Sequence, residues 1–352
     1  GPAQHNPAMV YLTGGGHMTM ADVIKPVGKP MVLCHAPMER EEAARTGLQT
    51  INYTQFPLKA RLEAAQGDRV LAQALLYKQI FEQVSLTEGT VLLYGRSEVG
   101  THYSLVSKLQ ELLPDLTFKG DLDDSVLLQA MATKDATEIE RIRAMGVVTR
   151  TVVSRVADFL THHKVKEETL IKADGTPLTI GEVKGLINLW LAELGAENPE
   201  DTIFAIGRDA GIPHSNGTPS DPIRLGRTIV FDIFPCEKGG GYFYDFTRTW
   251  CLGYAPAEVL ALCDQVQSVY NQVVSELKSG MNAAPFQNRT CDLFEAQGPP
   301  TISQNPATEN GYVHSLGYGV GLNIHEKPWF IRPDDASNSL LPRSVFAIEP
   351  GL

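Results

Sequence analysis

Residues 228–249 read TIVFDIFPCEKGGGYFYDFTRT. Two runs dense in β-branched and aromatic residues flank CEKGGG, a glycine-rich connector, so the stretch reads as a β-hairpin. Opposed residues in a hairpin share a constant index sum. A turn centred between Lys238 and Gly239 sets Asp232 opposite Asp245, with side chains about 4.5–5.5 Å apart at Cβ. Each aspartate lies among large apolar neighbours, Phe231 and Ile233 for the first, Tyr244 and Phe246 for the second. Two like charges so placed are destabilising unless a cation or a shared proton compensates them, and a divalent metal is the usual compensation. The plain structural alternative puts one aspartate in a turn or bulge and pairs the other with Arg248 or Arg224.

Outward from the hairpin, three further segments carry side chains suited to chemistry. IPHSNGTP (212–219) sets His214 in a loop just before the first aspartate strand. Loops on a rigid scaffold are where functional groups concentrate, although an ordinary solvated histidine fits the same place. VHSLGYGVGLNIHEKPW (313–329) carries His314 and His325 around Gly317, Gly319 and Gly321. That spacing is no dinucleotide fingerprint, and the position that would complete a zincin HExxH is Trp329. The glycines serve instead to let backbone pass close to a ligand or a neighbouring strand. IEPGL (348–352) ends an apolar strand on Glu349. As a third carboxylate converging on the hairpin, Glu349 becomes a metal-ligand or general-base candidate rather than a solvated strand end.

The remaining chain divides into two domains, 1–130 and 131–352. In the first, 8–12 (AMVYL), 31–34 (MVLC) and 91–95 (VLLYG) read as short strands, and helices are expected over 68–85 and 101–113, an α/β alternation. The rhythm changes over 119–134. Helices are expected over 134–162, over 180–194 behind an N-cap at Thr179, and over 257–279 up to Gly280. With strands at 228–235, 241–250, 311–322 and 344–350, the second domain is α+β. A length of 352 residues with 43% hydrophobic residues supports large cores, and 30 basic against 41 acidic side chains disfavours nucleic acid and anionic membrane as partners. No apolar run is long enough to span a bilayer and no signal peptide is visible. The five cysteines are dispersed, which fits a reduced, cytoplasmic chain, and Cys236 reads as structural. The chain opens without Met, so its N-terminus reads as processed, truncated or incomplete.

Taken together, PHSNGTP, the FDIFP…YDFTRTW hairpin, HSLGYGVGLNIHE and IEPGL occur in the order found in the pita-bread metallopeptidases, the family of aminopeptidase P, prolidase, methionine aminopeptidase and the metal-free creatinase. The chain resembles the Xaa-Pro peptidase branch over nearly its whole length. That resemblance implies a pita-bread α+β catalytic domain behind a smaller creatinase-type α/β domain. It implies hydrolysis of the bond before proline in Xaa-Pro dipeptides or N-terminal Xaa-Pro peptides, a short proline-containing peptide as partner, and a homodimer. It also implies two divalent ions, Mn, Co or Zn. Asp232, Asp245 and Glu349 match metal ligands, Glu349 doubling as base, and His214, His314 and His325 match the histidines that bind substrate and stabilise the tetrahedral intermediate. The resemblance places its histidine ligand where this chain has Tyr318, and its last glutamate ligand beyond Leu352, so a C-terminal strand is expected outside the chain. A neutral phenol, with a pKa of about 10, is a poor ligand for these ions. The alternative is therefore a metal-free or metal-impaired relative, a creatinase-like hydrolase or an inactive peptide-binding homologue.

Overall fold

The computed structural model describes residues 1–122, 125–331 and 338–352, Ser125 by its backbone alone. The stretch where the sequence rhythm changes, 119–134, includes Asp123 and Asp124, which lie outside the described residues. The chain forms two compact units, Gly1–Leu127 with Gly239–Gly241, and Leu128–Lys238 with Tyr242–Leu352.

The first unit holds α1 (Pro7–Thr13), β1 (Ala21–Ile24), β2 (Val32–His35), α2 (Arg40–Arg45), β3 (Gln49–Asn52), α3 (Leu58–Ala64), α4 (Arg69–Gln83), β4 (Gly89–Leu93), α5 (Val99–Leu112) and β5 (Leu116–Gly120). Strand β2 pairs antiparallel with β1 and parallel with β3, while β4 and β5 form a separate parallel pair. The stretch 8–12 is helical, not the strand its apolar run indicated. Pro7 occupies the first turn, where its missing N–H costs nothing, and Gly14 closes the helix at φ 76° with its N–H on Val10 O.

The second unit continues from α6 (Ser125–Met131) into α7 (Ala136–Thr161), β6 (Lys164–Lys166), β7 (Thr169–Ile171), α8 (Ile180–Glu193), β8 (Ala196–Glu197), β9 (Ile203–Ile206), β10 (Thr228–Ile233), β11 (Cys236–Glu237), β12 (Phe246–Cys251), α9 (Ala257–Glu276), α10 (Pro285–Glu295), β13 (Gly317–Gly319), β14 (Glu326–Trp329) and β15 (Phe346–Ile348). Capping boxes start both long helices of its first half. Asp135 and Glu138 cap α7, and Thr179 and Glu182 cap α8 as the sequence indicated. Helix α9 ends at Glu276 with Leu277 as its C-cap, ahead of Gly280. Two antiparallel sheets position the site, β12-β10-β9 and β14-β13-β15. Val152, Val156, Ile187 and Leu191 of α7 and α8 pack on Phe204, Phe231 and Ile233 beneath the first sheet. Val273 and Phe294 of α9 and α10 pack with Leu316 and Phe330 beneath the second. Each such fully buried side chain contributes about 1.5–3 kcal/mol. A smaller cluster of Cys236, Phe243 and Val320, with Tyr318 and Ala347 against it, joins the hairpin to the second sheet.

The hairpin register differs from the expected one. Asp232 stands opposite Thr247, and Ile233 opposite Phe246. Cys236 bridges Phe243 with the same index sum, so the turn centres between Gly239 and Gly240. Those two glycines have φ of 87° and 84°, a left-handed pair that fits a two-residue hairpin turn. The slip from the expected register is two residues, which preserves the face. Asp245 therefore stays on the side of the sheet that carries Asp232, as a diagonal neighbour rather than a facing one.

Candidate active site

Burial on one face of the hairpin brings the two aspartates together. Their carboxyls hydrogen-bond to each other, and Thr247 Oγ1 donates to Asp232 Oδ1 at 2.6 Å. Arg248 does not compensate either charge. Its guanidinium donates to Thr247 O at 2.7 Å and lies over the Phe246 ring. Desolvation pushes the Asp232 carboxyl up, and burial, with the Asp232 charge second, pushes Asp245 up to about 7. As placed, the pair is accommodated by a shared proton, and a cation between the carboxylates would accommodate it equally.

Strand β13 delivers Tyr318 and β15 leads into Glu349, since Tyr318 pairs with Ala347. Glu349 N donates to Leu316 O at 2.9 Å, which fixes the backbone at the carboxylate. The Tyr318 hydroxyl donates to Asp245 Oδ2 at 2.7 Å and also hydrogen-bonds Glu349. Burial first, then the Asp245 charge, raises the Glu349 carboxyl to about 8, against the opposing Tyr318 hydrogen bond. The Tyr318 phenol itself is pushed far above its ordinary value by burial and by both acids, so it stays protonated at neutral pH. Asp232, Asp245 and Glu349 do converge, and Tyr318 sits among them.

The histidines lie about the same acids. His325, in the turn before β14, sets its ring edge-on to Tyr318 with centroids 4.1 Å apart. His314 Nδ1 lies 2.9 Å from Ser315 O; a carbonyl only accepts, so Nδ1 carries the hydrogen and Nε2 presents a lone pair. Burial lowers the pKa of His314 and His325, and both feel His214, which keeps the imidazoles neutral. His214 lies exposed in its loop at φ 60°, an uncommon backbone state for a side chain with a Cβ. The three acids, Tyr318 and His325 thus stand together, and His214 acts electrostatically on both His314 and His325.

Sequence reasoning missed the support beneath them. Lys134 Nζ lies 2.5 Å from Glu326 Oε1, with both side chains 1% exposed. Arg141 grips Glu237 through two bonds of 2.9 and 2.6 Å, and Glu237 accepts from Tyr242 N at 2.9 Å at the hairpin end. Neither pair has a local sequence signal, because the partners lie 192 and 96 residues apart. The three glycines of 317–321 have a definite purpose. A Cβ at Gly317 would stand 2.1 Å from Ala347 O, and one at Gly319 2.0 Å from Lys327 O. Gly317 and Gly319 admit neighbouring backbone, the second of the two uses read from the sequence, while Gly321 makes room for the Glu326 carboxylate.

Two antiparallel sheets backed by helices, with an acid and histidine cluster between them, define a pita-bread hydrolase fold. The chain belongs to metallopeptidase family M24, whose model matches residues 140–352. It is 28% identical over 254 residues to the Xaa-Pro dipeptidase of Pyrococcus furiosus, covering 71% of this chain and 64% of that protein. It spans 54% of the length of a Mycobacterium tuberculosis protein that carries a dipeptidase name, PepE, at 26% identity over 66% of this chain. Among solved structures, the prolidase from Pyrococcus furiosus superposes with a TM-score of 0.71 at 21% identity, over 99% of this chain and 88% of that one. The X-Pro aminopeptidase from Thermotoga maritima does so with a TM-score of 0.70 at 22% identity, over 97% and 83%. These structural likenesses show the shared fold.

The two ions that the resemblance implies do not fit the residues as placed. Among the described residues, no group of three or more His, Cys, Asp or Glu side chains is arranged to hold a metal ion. A phenol O–H directed at Asp245 uses the carboxylate lone pair that a cation would take. An imidazole at 318 would offer a lone pair instead.

Proposed function

We propose that this pocket binds short peptides with proline in the second position and hydrolyses the Xaa-Pro bond. The observation that carries the reading is the convergence of Asp232, Asp245 and Glu349 with His214, His314 and His325, in a chain of family M24. The P. furiosus relatives named Xaa-Pro dipeptidase and prolidase support the substrate class. Metal-assisted hydrolysis is the general property of the family.

Amide hydrolysis needs a base for the attacking water, donors for the oxyanion and a proton for the leaving nitrogen. Glu349 takes the water proton, because it alone of the three carboxyls stands outside the Asp232–Asp245 hydrogen bond. The same carboxyl then returns the proton to the proline nitrogen. His325, kept neutral by burial, and His214 supply N–H donors to the oxyanion. His314 Nε2, a lone pair, accepts from a substrate N–H. A homodimer in the cytoplasm belongs to the same proposal and rests on the resemblance.

The Tyr318–Asp245 hydrogen bond favours a second reading, in which the pocket works without divalent ions or binds peptide without turnover. One experiment separates them. Purified chain is offered Xaa-Pro dipeptides and matched Xaa-Ala controls, with chelator and with added Mn²⁺, and peptide-induced thermal shifts are recorded in parallel. Turnover confined to Xaa-Pro supports hydrolysis, and its response to Mn²⁺ settles the metal question. A thermal shift without turnover favours the binding reading. Absence of both would sink the proposal.

A further inference from the structure

The buried pair Lys134–Glu326 takes no part in the chemistry just described, yet Glu326 is the residue next to His325. Glu326 follows His325, and its carboxylate is wholly enclosed. Oε1 meets Lys134 Nζ at 2.5 Å, while Oε2 accepts from Asn323 N at 3.3 Å. Gly321 passes so close that a Cβ there would stand 2.3 Å from Oε1 and 2.9 Å from Oε2. Gly321 in turn accepts from Phe243 N at 2.8 Å and donates to Asn323 O at 3.0 Å. The carboxylate is therefore the hub around which 321–326 is folded. Its counter-ion is held just as firmly. Lys134 N donates to Arg343 O at 3.1 Å, and the next residue, Asp135, opens the capping box of α7.

An ion pair removed from water gives back in attraction roughly what it loses in hydration, and a well-packed apolar pair often serves stability equally well. What an apolar pair cannot do is fix direction. A charged hub with a backbone N–H and an ammonium on separate oxygens holds the turn in one arrangement, and His325 leaves that turn with its ring on Tyr318. We infer that Lys134 and Glu326 are positioning residues, which aim the His325 imidazole into the pocket. The inference rests on the Xaa-Pro hydrolysis reading for its kinetic consequence, though its structural consequence stands without it.

The test compares the wild-type chain with Glu326→Gln and with the double variant K134M/E326L. Glu326→Gln leaves a buried ammonium without its carboxylate, so it lowers the melting temperature; the double variant removes both charges and restores stability. The expected result is that the double variant melts near wild type while kcat/KM on Xaa-Pro dipeptides stays down by about tenfold or more, the scale of a misplaced group at an active site. In parallel, the His325 ring signal in NMR, assigned by its loss in His325→Gln, moves in the double variant while those of His162 and His163 do not. A double variant with wild-type kcat/KM, or an unmoved His325 signal, overturns the inference. If the wild-type chain shows no Xaa-Pro turnover, the functional reading fails by itself, and the His325 signal alone decides the positioning role.

Discussion

At the scale of single residues, the proposed chemistry turns on Tyr318. Its hydroxyl donates to Asp245 at 2.7 Å, in the space where a cation would neutralise three clustered acids. Replacing the donor by a ring nitrogen with a lone pair leaves Asp245 free to ligate. Tyr318→His is expected to raise Mn²⁺ or Zn²⁺ uptake over wild type, read by titration calorimetry and elemental analysis after dialysis; equal uptake would show that Tyr318 is not the obstacle. Protonation gives a second prediction. Asp245 and Glu349 are raised in the folded chain to about 7 and about 8. A carboxyl whose folded pKa lies above its unfolded value holds more protons when folded, so its contribution to stability is present below the unfolded pKa and lost as pH rises through the folded one. In chelator, the melting temperature is therefore expected to decline from acid pH towards pH 8 more steeply in wild type than in Asp245→Asn. Parallel curves would contradict the shared-proton picture.

At the scale of elements, two strand pairings control the site, and both depend on backbone approach. Gly319 lies between β14 and β15, where a Cβ would stand 2.0 Å from Lys327 O. No rotamer relieves a contact with a carbonyl, so the strands must part. Gly319→Ala is expected to cost about 3 kcal/mol, the upper end of overpacking penalties, measured as a lower urea midpoint at constant m. A midpoint equal to wild type would mean the sheet yields more easily than its geometry implies. The hairpin shows which part of an element is legible in sequence. Its composition marks two strands and a turn, and its alternation puts both aspartates on one face. Three consecutive glycines, however, allow several turn centres of equal local merit. The choice between them comes from partners outside the hairpin, such as β9 against β10 at Asp232–Ile203. The stretch 8–12 was misread for the opposite reason. Its apolar run outweighed Pro7 and Gly14, two terminal signals that mark a helix.

For the whole molecule, the order of motifs along the chain carried more than any single motif. Asp232 and Asp245 alone are compatible with an ordinary turn and an arginine partner; with His214, His314, His325 and Glu349 in series they point to one proposed site. Long-range charge pairing was not legible, because Lys134 and Glu326 have no periodicity or spacing to connect them over 192 residues. Such pairs are visible only when the fold closes. Under the proposed function, Glu349 is the base that hydrolyses Xaa-Pro peptides. The most direct measurement is kcat/KM on an Xaa-Pro dipeptide for wild type and Glu349→Gln, across pH 6 to 9. The account predicts a wild-type rate that rises as Glu349 deprotonates near its pKa of about 8, and a Glu349→Gln rate lower by about a hundredfold, within the range of general-base contributions. A Glu349→Gln variant as active as wild type over that range would contradict it.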